Sequence, residues 1–195
     1  MKNFTDLLGK EYLFFDGGTG SVLQKMGLKP GELPEMWNIT HSDEIVSLHA
    51  SYFLSGSNIV NTNTFGANSL KFGNKLPDII KAAVENAQRA KKLVEEDSSL
   101  LPKIQRTKAF NPVTAPHFVA LDIGPCGKLL KPLGDLDFED CVALFTEVAT
   151  VGLQAGVDLV LVETMNDCYE TKACVLGIKE AMEKTGIQKP IIASN

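Results

Sequence analysis

Residues 13–23 read LFFDGGTGSVL: a short apolar run that stops at an acid and two glycines, then turns at once into something helical. The first candidate for such a strand end is a nucleotide loop, and it fails. The dinucleotide fingerprint G-x-G-x-x-G breaks because Leu23 stands three residues after Gly20, and no Gly-Lys-Ser/Thr ending makes a phosphate loop. What is left is a strand end whose backbone comes close to something, with the carboxylate of Asp16 beside it.

The same construction recurs along the chain. Ser57–Asn61 leads into TNTFGAN, Phe118–Ile123 into GPCGK, Asp158–Val162 into ETMND, and Pro190–Ala193 into Ser194 and Asn195. Short, nearly continuous apolar runs are how strands buried on both faces read. Helical periodicity separates them. Thr40-His41-Ser42-Asp43 has capping-box spacing, with Asp in place of the more usual Glu, and Ile45, Leu48, Tyr52 and Phe53 recur until Gly56. Pro77, Asp137 and Asp167 open three more helices, the last two stopping at Gly156 and Gly186. Between them, residues 97–116 are polar, carry Pro102, Pro112 and Pro116, and read as a long surface excursion.

A repeated strand-loop-helix order predicts an α/β fold with a parallel sheet and right-handed crossovers. In such folds chemistry gathers where the strands end. With no phosphate loop at the first strand, a (β/α)8 TIM barrel fits the loops better than a doubly wound sheet. A barrel takes about 250 residues, and only five strands are legible in 195 residues. The expectation is therefore the first five βα units of one barrel domain over residues 1–195, with no internal boundary. Five staves cannot close, so two sheet edges stay unpaired, which predicts a marginal or self-associating fragment, or a piece completed by chain supplied elsewhere.

Composition narrows the partners. Apolar content of 44% and charged content of 22% are globular values. A net charge of −5 argues against a nucleic-acid surface, and the cluster of Arg89, Lys91 and Lys92 reads as a solvated helix face. No signal peptide and no membrane-length apolar run are visible, which makes the cytoplasm the expected compartment. The four cysteines, at 126, 141, 168 and 174, form no C-x-x-C and have no histidine at ligand spacing, so they read as plain thiols in a reducing compartment. Cys168 and Cys174 on one helix would sit about 120° apart and do not face one ligand.

Taken together, FDGGTGSVLQ, GELPEMWNITH, NIVNTNTFGAN, IGPCGKLLKPLG and DLVLVETMNDCYETKA resemble the homocysteine S-methyltransferase domain. The resemblance runs from residue 12 to 195 and is nearest to the N-terminal homocysteine-binding module of cobalamin-dependent methionine synthases. It implies a (β/α)8 barrel that methylates the sulfur of homocysteine to give methionine. It also implies a zinc ion on three cysteine thiolates, one after the sixth strand and an adjacent pair after the eighth. None of the four cysteines occupies those positions, so the zinc ligands are expected outside this chain, and no metal ligand or catalytic residue is assigned within it. Cobalamin enters indirectly, through a corrinoid-binding domain or protein that carries the methyl group from a methyl-corrinoid and methyltetrahydrofolate system. Related proteins use S-methylmethionine or betaine instead.

For the residues present, the resemblance implies a grip on the zwitterionic end of homocysteine. Backbone N–H groups of Gly17 and Gly18, at the start of a helix, suit its carboxylate. Glu163 suits its ammonium. Asp16 and Thr62 line the pocket, and Asp122 and Asn63 stand at neighbouring strand ends, where capping and loop hydrogen bonding are the competing roles. Tight turning is the competing role for the glycines, and a structural ion pair for Glu163. Two other readings of the whole chain stay open: a non-catalytic remnant with at most weak amino-acid binding, and a lyase using Glu163 or Asp122 as general base.

Overall fold

Aliphatic and β-branched runs become strands, and polar punctuation sets their ends. The computed structural model describes residues 3–96 and 115–194. Its strands are β1 (Ile59–Asn61), β2 (Phe118–Ile123), β3 (Leu159–Glu163) and β4 (Ile191–Ser194). They form one parallel sheet in the order β1-β2-β3-β4. Ala120 lies beside both Asn61 and Leu159, and Glu163 lies beside Ser194. The helices are α1 (Phe4–Leu7), α2 (Thr19–Met26), α3 (Trp37–Thr40), α4 (Ser42–Ser55), α5 (Ser69–Phe72), α6 (Leu76–Glu96), α7 (Phe138–Ala155) and α8 (Cys168–Thr185). The expected surface excursion falls mostly on residues 97–114, which lie outside the described residues.

Alternation along the strands sends side chains to two faces. Val60, Val119, Leu121, Ile123, Val160 and Val162 join residues of α4, α6, α7 and α8 in the main core. Ile59, Phe118, Ala120, Leu159 and Leu161 face the other way, where Phe4 and Leu7 of α1 pack against them. All six residues of β2 are buried, Asp122 included, as its nearly continuous apolar run implies. By the same parity Asn61, Asp122 and Glu163 fall on this second face, at the carboxyl ends of three adjacent strands.

Two local expectations change. The first apolar run is reduced to a single parallel bridge between Phe15 and Ile59. The Asn58 side chain accepts the Phe14 N–H at 3.0 Å, taking the place of a ladder partner, and Tyr12 and Phe14 are 92% and 63% exposed, without the cover that makes a central strand. The capping box at Thr40 does not form. Residues 37–40 are already helical, and the Thr40 hydroxyl donates back to the Met36 carbonyl at 3.1 Å. The other signals hold: Asp167 caps α8 by accepting the Tyr169 N–H, and Gly156 and Gly186 end α7 and α8 in the left-handed conformation.

Helices α7 and α8 pack at backbone distance. A Cβ at Gly177 would stand 2.7 Å from the Val142 carbonyl oxygen and 2.9 Å from the Thr146 nitrogen. Backbone cannot yield as a flexible side chain can. Gly177→Ala is expected to destabilise the fold by about 1–3 kcal/mol, outweighing the ~1 kcal/mol that Ala otherwise gains in a helix. Urea denaturation reads this directly, and a stabilised variant would mean that the two helices separate freely.

Candidate functional site

The site is built from the carboxyl ends of the strands. Asp16 follows the Phe15 bridge, its backbone N–H donating to Ile59 O at 2.9 Å. Its Oδ2 accepts the Asn61 N–H at 3.0 Å, which pins the carboxylate over the end of β1. Asp122 and Glu163 stand on the next two strands, close enough that the pair and Asp16 act on one another electrostatically. Sequence spacing alone, with gaps of 106 and 41 residues, carries no hint of that convergence; the parallel register produces it.

Burial dominates the electrostatics. It pushes the Asp16 carboxyl from its ordinary 3.8 to about 7, opposed by the N–H bond from Asn61 and reinforced by the Glu163 charge. It also holds Asp122 well above the usual carboxylate range, with Glu163 and then Asp16 adding to the effect. Asp122 is only 6% exposed. Three oxygens at these strand ends are buried and accept no hydrogen bond: Asp16 Oδ1, Asn61 Oδ1 and Asp122 Oδ1. Buried polar atoms are rarely left unpaired, which makes this collection of three the candidate site. Asn61 is the residue that sequence reasoning passed over. Its signal was parity: it shares the face of Asp122 and Glu163 but lies inside a run read only as strand.

The remaining predicted residues divide by role. Thr62 sits in a closed ring with Thr64 and the β2 backbone. The Asp122 N–H donates to Thr62 Oγ1 at 3.2 Å, the Thr62 and Thr64 hydroxyls lie 2.7 Å apart, and Thr64 Oγ1 donates to the Asp122 carbonyl at 2.7 Å. This ring fixes the backbone of Asp122. Asn63 bolts the loop instead: its amide nitrogen donates to Pro34 O at 2.7 Å and to Asn38 Oδ1 at 3.2 Å. Behind it, the buried carboxylate of Glu35 takes Lys71 Nζ at 3.0 Å and the Gly66 N–H at 3.0 Å. That pair explains the GELPEMWN motif, whose first turn holds the loop after β1.

Gly17 and Gly18 are exposed at the start of α2, with Gly18 as its N-cap. The missing Cβ at Gly17 makes room for Tyr52, whose ring carbon and hydroxyl would each lie 3.1 Å from it. The Tyr52 hydroxyl donates to the Gly18 carbonyl at 3.2 Å, and its phenol is pushed up by burial and then by Asp16. The N–H groups of an opening helical turn have no partner within the helix. Thr164, directly after Glu163, holds φ at 59°, a left-handed conformation uncommon in residues other than glycine. Among the described residues no helix is long and apolar enough to cross a membrane.

The fold and site thus define a parallel α/β protein with an acidic, partly buried group of side chains beside a helix N-terminus at the carboxyl end of its sheet. The family's sequence profile names the class of protein more closely. Homocysteine S-methyltransferase matches residues 13–195, and the chain belongs to that family. It is 29% identical over 194 residues to methionine synthase of Mycobacterium tuberculosis and 32% identical over 198 residues to that of Mycobacterium leprae. Each alignment covers 96% of this chain but 15% of the relative, so the chain spans a small part of the curated relatives it matches. Among solved structures it resembles the homocysteine methyltransferase MmuM from Escherichia coli. The TM-score is 0.70 to the oxidised form at 21% identity and 0.69 to the metallated form at 20%. These likenesses cover 94% of this chain and 62% and 63% of the neighbour, and support an α/β fold with a parallel sheet like that of homocysteine methyltransferase barrels.

Proposed function

We propose that this chain supplies the homocysteine-binding part of a methyltransferase that transfers a methyl group to the homocysteine sulfur, giving methionine. The observation that carries this reading is the trio of buried, unpaired oxygens of Asp16, Asn61 and Asp122 at the strand ends beside Glu163. A substrate ammonium has three donors and a positive charge, which is what three such acceptors and a neighbouring carboxylate receive. The Gly17 and Gly18 N–H groups at the α2 N-terminus receive the substrate carboxylate. Gripped at both charged groups, the amino acid extends its thiol outward. Thr62 and Thr64 position the Asp122 backbone, and Asn63 steadies the loop behind them.

The domain itself we take to be the first five βα units of a (β/α)8 barrel over residues 1–195, the rest of the barrel being contributed by chain beyond them. Coverage of 62% of the solved neighbour supports that reading. The donor we take to be a methyl-corrinoid charged from methyltetrahydrofolate and presented by a partner domain or protein, in keeping with the methionine synthase relatives. A zinc ion would hold the substrate thiol as a thiolate. Zinc bound by three thiolates does not fit the strand-end residues, which offer oxygen donors only, so its ligands belong to the complementing part of the barrel. The cytoplasm remains the compartment proposed.

Calorimetry of this chain with homocysteine and with 4-mercaptobutanoic acid tests the reading. The second compound keeps the thiol and carboxylate and lacks the amino group. It is expected to bind on the order of 100-fold more weakly, the scale for losing one member of a buried charge pair. Equal binding of the two would remove the ammonium site from the proposal.

A further inference from the structure

A second group of polar side chains lies outside the strand-end recess. Cys126 is in the loop after β2, Cys141 in the first turn of α7 and Glu170 in the first turn of α8. The two sulfurs and a carboxylate oxygen all lie within 4.8 Å of one another. The three residues are 6%, 0% and 6% exposed. The Cys126 N–H donates to Glu170 Oε1 at 2.8 Å, which sets the carboxylate against the loop. Cys174, fully buried, follows Glu170 by one helical turn on the same face of α8 and borders the group. Among the described residues no lysine, arginine or histidine forms an ion pair with Glu170. A buried carboxylate set beside two thiols, with no ion pair among the described residues, is an expensive arrangement.

We propose that Cys126, Cys141 and Glu170 form a structural site for a thiophilic divalent cation of the zinc class, separate from the substrate recess. The donor set decides the class. Two thiolates and one carboxylate suit zinc and its analogues, whereas magnesium and calcium require oxygen throughout. Zinc–sulfur bonds of about 2.3 Å place tetrahedral ligands ~3.8 Å apart, so the group closes by about 1 Å at most to meet an ion. The ion replaces the missing positive charge beside Glu170. It also fastens three segments that are distant in sequence: the loop leaving Asp122, the start of α7 and the start of α8. The first and last of these follow the strands that carry Asp122 and Glu163, so the clasp would hold the recess in shape without touching its ligand. The inference does not depend on homocysteine being that ligand.

Cobalt(II) is the probe, titrated into the reduced 195-residue chain with a phosphine reductant that does not compete as a thiol. The expected result is one equivalent bound with a sulfur-to-cobalt charge-transfer band, and displacement of cobalt by zinc. Cys126→Ser and Cys141→Ser are each expected to weaken binding by at least ~100-fold and Glu170→Gln by at least ~10-fold. Cys168→Ser, at an exposed position, should leave binding within about twofold. Zinc should raise the melting temperature of the native chain and of Cys168→Ser but not of Cys141→Ser. A folding defect in any one variant is caught by the other two ligand variants. The proposal is overturned by absence of the band, by a band that persists in concentrated urea, or by equal weakening in Cys168→Ser.

Discussion

Glu163→Gln should weaken homocysteine binding by about 100-fold at pH 8, with the fold intact. The amide keeps the size and one accepting oxygen of the carboxylate, removes its charge and turns the second oxygen into a donor, so the loss reports charge and acceptor capacity rather than shape. Asp16 and Asp122 do not simply take over. Both are held above the ordinary carboxylate range mainly by burial, with Glu163 contributing less, so removing Glu163 eases their ionisation only in part. A loss of 2–5 kcal/mol is the scale for truncating one partner of a buried charge pair, and 2.7 kcal/mol corresponds to about 100-fold. The same recess predicts a pH dependence in the unmodified chain. Affinity should fall as pH drops through about 7, where Asp16 takes up its proton and stops attracting an ammonium. Calorimetry at pH 6 and pH 8 on both proteins separates the effects. Equal affinities for the two proteins at pH 8 would remove Glu163 from the recognition of the ammonium.

How much of this could be read beforehand depended on whether the signal was local. The runs Phe118–Ile123 and Asp158–Val162 announced strands buried on both faces because they are nearly continuous in apolar residues, with a single acid in each, Asp122 and Asp158. Asp137 and Asp167 at the N-cap positions of α7 and α8, and the glycines after those helices, marked the helix ends because cap positions involve neighbours in sequence, although only Asp167 caps through its side chain, Asp137 pairing with Lys131 instead. The run Tyr12–Phe15 has the same look, yet it makes one bridge, because the competing contact comes from the Asn58 side chain, 44 residues away. Asn61, whose parity shows only once the strand register is known, and the group of Cys126, Cys141 and Glu170 carried no local signal for the same reason. Each is assembled by strand register or helix packing, and neither leaves a spacing that a motif could record. The carboxylates at 16, 122 and 163 drew notice because they stand at strand ends, and the family resemblance is what implied a pocket role for Asp16 and Glu163.

Asp16→Asn is expected to stabilise the fold at pH 8 while weakening homocysteine binding, and the opposite signs make it the sharper test of the recess. The Asp16 carboxyl rises from 3.8 to about 7 in the folded chain. A folded-state value above the unfolded one means that the native protein keeps a proton which the unfolded chain has released. Stability from this group is therefore fully present below about pH 4, declines as pH rises towards 7, and levels off above that. The full rise corresponds to roughly 4 kcal/mol, and partial exposure of Asp16 to solvent reduces that to about 1–3 kcal/mol. Asn cannot ionise, and its amide oxygen still accepts the Asn61 N–H that now reaches Oδ2 at 3.0 Å. Thermal unfolding at pH 8 should then shift up by about 3–8 °C. At pH 4.5 the two proteins should melt within about 2 °C of each other, because both carry a neutral group there. Matching melting temperatures at pH 8, or a variant destabilised equally at both pH values, would show that Asp16 is held by its neighbours as an ordinary structural carboxylate. A stabilised, non-binding variant is the expected outcome because an anionic recess without its cation is a strained state of the fold, relieved when an ammonium arrives.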